Sequence, residues 1–207
     1  MLNFKKTYKL PFKHRIPHYV DIFLNQRSLF KTWIKYFKRH IFIILSGQRK
    51  LEVFSIVPEH QDILWINVSA PSFGDSLMDL SSRILLKGRN IDLFTIDNIA
   101  DVYLSDKIFN NVYSSVKIAS KNKYNLVIID SFSSRSIKVK YQIAPKINFI
   151  GMFGYFNGPE VNRVLFSFHQ MNNLLGYIYS ESEINKKAKS LMTISSDDKR
   201  FIELLKI

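Results

Sequence analysis

An α/β fold built on a parallel sheet is the class this sequence predicts, and three observations predict it. The apolar run Ile63-Leu64-Trp65-Ile66-Asn67-Val68 enters the small-residue turn Ser69-Ala70-Pro71-Ser72-Phe73-Gly74-Asp75, after which Leu77, Leu80 and Ile84 recur at helical spacing. That is the start of a βαβ unit. Strand-like and helix-like stretches then keep alternating down the chain. The clearest of them, Tyr124-Asn125-Leu126-Val127-Ile128-Ile129-Asp130, is apolar almost throughout, as a strand covered on both faces must be.

The elements follow in order. Gly88 closes the first helix, Ile91-Asp92-Leu93-Phe94 reads as a second strand, and Ile99 to Leu104 as a short helix. Val112-Tyr113 is a third strand and Ser115 to Asn122 a weak helix. The Tyr124 to Asp130 strand runs into Ser131-Phe132-Ser133-Ser134-Arg135, a second polar loop on the same expected edge, and Ile147 to Gly151 supplies one more strand. Residues 63–185 thus read as one Rossmann-like domain. Residues 186–207 read as a linker and a helix, with Ser195 and Asp198 in capping-box spacing ahead of Phe201, Ile202, Leu204 and Leu205.

Residues 1–62 differ in charge. They carry 12 Lys or Arg against 4 Asp or Glu, a net of +8, whereas residues 63–207 carry 18 against 13, a net of +5. Within this basic extension Phe30, Trp33, Ile34, Phe37 and Ile41 fall at helical spacing, while Arg27, Lys31, Lys35, Lys38 and Arg39 lie mostly to the other side. Three readings compete for this amphipathic helix: docking on the sheet domain, lying on an anionic membrane surface over residues 19–45, and binding nucleic acid. The last is disfavoured, because the cations are interleaved with a continuous apolar stripe and no nucleic-acid signature accompanies them. No segment is expected to span a membrane. Ile41 to Leu45 falls far short of the ~20 apolar residues a span needs, and Lys5, Lys6 and Lys9 leave no signal-peptide core. The absence of Cys removes disulfides and thiolate chemistry and agrees with a reducing, cytoplasmic setting.

Chemistry-bearing residues are few. Asp75 sits where a helix begins, so it suits an N-cap, and its place at the carboxyl edge of the sheet also suits a general base. Both roles stay open. His14 and His18 are four apart, but Pro17 breaks the helix that would align them; His40, His60 and His169 are isolated, so no metal site is expected. No glycine-rich phosphate loop occurs. The Ser131 to Arg135 loop suits either an anion or plain capping beside a solvated charge.

Taken in succession, Ser72-Phe73-Gly74-Asp75-Ser76-Leu77, Lys87-Gly88-Arg89-Asn90-Ile91-Asp92-Leu93, Tyr124 to Asp130 with Ser133 and Arg135 beyond it, Phe149-Ile150-Gly151, and His169-Gln170-Met171-Asn172-Asn173-Leu174-Leu175-Gly176 resemble the family 9 glycosyltransferases, the heptosyltransferases of lipopolysaccharide assembly. The likeness runs from about Ile63 to Gly176. The first loop is longer than the family's by about two residues at Ala70-Pro71, and Ser81 stands where the family often has proline.

The resemblance implies the first half of a GT-B fold, with an acceptor-side domain followed by a donor-side domain that this chain does not contain. It implies an inverting transfer of heptose from a nucleotide-sugar to a lipopolysaccharide core acceptor, with no metal and no cofactor. Asp75 would be the base, Gly74 would admit the acceptor to the backbone, and Ser133, Arg135, Lys138 and Lys140 would meet its phosphates. The alternative is a non-catalytic binding module that keeps the acceptor-domain fold. The partners implied are the core acceptor, an anionic membrane at the inner face of the bacterial inner membrane, and a separate donor domain or complete transferase.

Overall fold

The computed structural model describes residues 29–70, 72–152 and 162–192. The expected helix after Ser195 lies outside them, as do His14 and His18. Five strands form one parallel sheet: β1 (Asp62–Asn67), β2 (Asn90–Thr95), β3 (Asn111–Tyr113), β4 (Leu126–Ile129) and β5 (Phe149–Gly151), in the order β3-β2-β1-β4-β5. The fold is therefore α/β and Rossmann-like, with β1 at the centre.

The alternation of side chains along β1 divides the core in two. Ile63 and Trp65 face one layer with Leu80, Leu86, Tyr103, Phe166, Met171 and Leu174; Leu64 and Ile66 face the other with Ile43, Ala119, Ile137 and Phe149. The first layer is supplied by α2 (Phe73–Asp79), a 3-10 segment over Ser81–Leu86, α3 (Asp97–Tyr103) and α6 (Arg163–Leu174). The second is supplied by α1 (Leu29–Leu45), α4 (Val116–Ala119) and α5 (Ser134–Ile143), while α7 (Glu181–Lys187) packs on α6. Gly151 is demanded by this packing. A Cβ there would stand 2.3 Å from Phe132 Cε1.

The helix expected over Leu77 to Ile84 is shorter than its spacing suggested. The α-helix stops at Asp79 and the chain tightens into the 3-10 segment, leaving Ile84 exposed. Side chains supplement the amides at these carbonyls: Ser81 Oγ donates to Met78 O at 2.7 Å, and Leu80 O accepts from both Arg83 N at 3.0 Å and Arg83 Nη1 at 3.1 Å. Arg83 is fully buried, and its guanidinium also binds Asp106 through Nε at 2.8 Å and Nη2 at 2.5 Å, and Leu191 O at 2.7 Å. This pair fixes the 3-10 segment against the loop after α3.

The amino-terminal segment is tied to the sheet well before residue 62. Ile43 lies in the second core layer, Val53 N donates to Phe149 O at 2.9 Å alongside a parallel bridge from Glu52 to Phe149, and Ile56 N donates to Leu174 O at 2.7 Å. Part of the expected extension thus belongs to the packed body.

The Arg83 and Asp106 pair generates a stability prediction. Replacing Arg83 by Met strands the Asp106 carboxylate in the core and should cost ~3–5 kcal/mol in urea unfolding. The double substitution Arg83→Met with Asp106→Leu should recover most of that loss, since no unpaired charge then remains.

Candidate functional site

The strand order reverses between β1 and β4, and in an open parallel sheet the crevice beyond the carboxyl ends at that reversal is where ligands bind. The two polar loops singled out in the sequence are those that follow these two strands. They are stitched together by one carboxylate. Asp130, buried at the end of β4, accepts from Val68 N at 2.9 Å and Ser69 N at 2.6 Å on Oδ2, and from Ser131 N at 2.6 Å and Ser136 Oγ at 2.5 Å on Oδ1. Burial raises its pKa against the pull of these four hydrogen bonds. Ser69 Oγ extends the network to Ser133 Oγ and Ser136 Oγ, each at 3.1 Å, and Arg135 Nη1 donates to Val68 O at 3.1 Å.

Asp75 is not the helix cap. Ser72 holds that position: its Oγ accepts from Asp75 N at 3.2 Å and donates to Asp75 Oδ2 at 2.7 Å, so Asp75 stands three residues into the capping motif. The other oxygen, Oδ1, meets Arg163 Nη1 at 2.5 Å. Arg163, the first residue of α6, also chelates Asp79 through Nε to Oδ1 at 2.9 Å and Nη2 to Oδ2 at 2.6 Å. One guanidinium therefore bridges two carboxylates on successive turns of α2. The Asp75 side chain remains 25% exposed, whereas Asp79 is buried and its pKa is pushed up to about 7. Desolvation is the main cause, opposed by Arg163 and reinforced by the nearby Asp130 and Asp75.

The other residues expected at the site divide between edge and interior. Gly74 is exposed, and a Cβ there would meet nothing nearer than Ser72 Oγ at 4.0 Å, so the fold does not require glycine at this point. Ser133 caps α5, accepting from Ser136 N at 3.1 Å; Arg135 and Lys138 are exposed on the same helix. Lys140 is a correction. It is fully buried, donates to Gln48 Oε1 at 2.5 Å and sits 5.2 Å from the centre of the Phe149 ring, with its pKa lowered to about 8 by burial, so it does not reach the edge. His169 is buried and its Nε2 pairs with Asn185 Oδ1 at 2.8 Å, joining α6 to α7.

Sequence reasoning missed Asp79 and Arg163. Asp79 carried a signal, since it lies four residues after Asp75 and so shares its helix face, where two like charges call for a cation. Arg163, 88 positions beyond Asp75, carried none. Among the described residues, Asn67 Nδ2 at the end of β1 and Gln170 Oε1 on α6 are buried without a hydrogen-bond partner, and Gln170 Nε2 approaches Gly151 O at 3.5 Å. Among the described residues no group of three or more His, Asp or Glu is placed to hold a metal ion.

No protein-family model matches the chain. No curated protein matches it either. Among solved structures it is similar to the glycosyl transferase family 9 protein from Veillonella parvula, at 10% identity and a TM-score of 0.49, over 73% of this chain and 50% of that one. The chain thus spans half the length of that neighbour, and likeness at this level identifies neither family nor activity.

Two predictions follow from the carboxylate pair. The Asp79 pKa rises from an ordinary 3.8 to about 7, so between those values the native protein holds a proton that the unfolded chain has released. Its contribution to stability is therefore greatest below the unfolded value and declines as pH rises through the folded one. Asp79→Asn does not titrate, so its urea midpoint should gain on that of the wild type between about pH 4 and about pH 7, the interval between the unfolded and folded values. A pH-independent difference would contradict the assignment. Separately, Ser72→Ala removes the cap of α2 and should cost ~1 kcal/mol in the same assay.

Proposed function

We propose that this chain is the acceptor-side, Rossmann-like half of a GT-B glycosyltransferase, resembling the inverting heptosyltransferases of family 9. The observation that carries this reading is the meeting of the β1 loop with Asp75 and the β4 loop with Ser133 and Arg135 at the reversal of strand order. Asp75 is the proposed base. Ser72 and Arg163 orient its carboxylate, and each oxygen keeps a second lone pair for an incoming hydroxyl. As that hydroxyl attacks the anomeric carbon, its proton passes to Asp75 while the bond from the sugar to the nucleotide diphosphate breaks. Arg135 and Lys138 supply positive charge for phosphate groups on a lipopolysaccharide core acceptor, and Gly74 leaves the backbone approachable. The sugar donor is a nucleotide-sugar held by a donor-side domain or by a partner transferase; the reading places the work on the cytoplasmic side of the membrane.

One observation favours a second reading, a non-catalytic binding module with the same fold. Both oxygens of Asp75 already have partners, as a purely structural carboxylate would.

Calorimetry with a phosphorylated lipopolysaccharide inner-core fragment, paired with a transfer assay in the presence of a family 9 donor-side domain, separates the two. Arg135→Ala should weaken fragment binding ~10-fold through loss of a charge-assisted contact. Asp75→Asn should leave that binding near normal and abolish transfer. Binding that survives without any transfer by the wild type would favour the module. Absence of fragment binding would contradict both.

A further inference from the structure

A cleft opens at the amino end of the sheet, on the edge opposite the candidate site. It lies between the loop that enters β4, through Lys123 and Tyr124, and the loop that enters β5, through Ile143, Ala144, Lys146 and Ile147, and its volume is about 450 Å³. That is the size of sites that take small organic molecules.

Both walls are fixed by the fold. On one side Tyr124 is buried and its hydroxyl donates to Asp92 Oδ2 at 3.1 Å. On the other, Ala144 N donates to Lys140 O at 2.8 Å and Ile147 N to Ala144 O at 3.3 Å, which closes the turn after α5, and the buried Lys140 ammonium reaches Pro145 O at 3.4 Å. Ile143 and Ala144 belong to the second core layer and Ile147 packs against it, so the cleft has an apolar lining continuous with the core.

The charge on the cleft has one sign. Lys123 and Lys146 stand on opposite loops and are exposed; no carboxylate lines the cleft, and among the described residues neither lysine takes part in an ion pair. The acid bound to the Tyr124 wall, Asp92, is buried, with Oδ1 accepting from Asn111 Nδ2 at 2.9 Å and Oδ2 from Tyr124. Asp92 is thus committed to holding the wall.

We propose that this cleft binds a small organic anion, with an apolar body of about two fused rings against Tyr124, Ile143, Ala144 and Ile147 and a carboxylate or phosphate head between Lys123 and Lys146. Charge complementarity selects this class of ligand. A neutral apolar molecule would leave both ammonium groups without a counterion, and a bare inorganic anion would leave the apolar lining wet. The loops at the carboxyl edge contribute no residue to the cleft, so the proposal stands independently of the sugar-transfer reading.

Fluorescence titration of the full chain with anilinonaphthalene sulfonate, an apolar two-ring body carrying one anionic group, tests it. The dye should bind saturably at one site with a Kd of ~10–100 μM, and its neutral analogue phenylnaphthylamine at least ~10-fold more weakly. Lys123→Glu with Lys146→Glu should weaken dye binding ~10-fold or more at an unchanged urea midpoint, because both side chains are exposed. Lys107→Glu with Lys189→Glu, the same change of net charge at exposed positions off the cleft, should leave binding within ~2-fold of the wild type. Decanoate and decyl phosphate should each displace the dye, the stronger competitor naming the head group. Absence of saturable binding, equal affinity for the neutral analogue, equal effects of the two double substitutions, or displacement by neither competitor would each overturn the proposal.

Discussion

The Asp130 carboxylate is the point on which the carboxyl edge of the sheet depends. Two loops leave adjacent strands there in opposite directions, and nothing in a parallel sheet holds such loops together by itself. Asp130 does so by accepting two amides from the β1 loop, one amide from its own loop and one hydroxyl from α5. Every lone pair suited to a hydrogen bond is thereby used, which is what makes a carboxylate tolerable at full burial. Removing this clamp would leave four donors buried or strained at the place where the site is built.

A second constraint sits one step further out. Arg163 brings α6 onto α2 by binding Asp75 and Asp79 together, and it does so at the exposed rim, where Asp75 stays open to solvent. The two acids are thereby given different tasks. Asp79 is buried, bidentate and raised toward neutrality, a packing group whose charge is costly; Asp75 is held by one ion pair and one hydroxyl, with room for a further hydrogen bond.

Much of the fold was legible because β1 and β4 are covered on both faces and so read as unbroken apolar runs from Ile63 and Leu126, while in β2 the run from Ile91 to Phe94 is broken only by Asp92. The site was legible only where it is local. Ser72 and Asp75 stand in capping-box spacing, and of the two roles left open for Asp75 the cap falls instead to the serine three residues earlier, whose hydroxyl also binds the acid. Lys140 misled because a lysine near a helix surface is ordinarily solvated, and its burial depends on Gln48, a residue 92 positions away. Arg163 is likewise a product of tertiary placement, and on α1 helical periodicity marked Ile41 whereas the core takes Ile43, two positions on.

Amide hydrogen exchange on the wild-type protein, read residue by residue by NMR, tests the Asp130 clamp most directly. Ser69 is exposed and Ser131 follows the end of a strand, so without the clamp both amides would exchange as open loop amides. The account predicts that the amides of Val68, Ser69 and Ser131 are protected to the same degree as those of Trp65 and Ile128 in the central strands. Rapid exchange of the three loop amides beside slow exchange in β1 and β4 would contradict it.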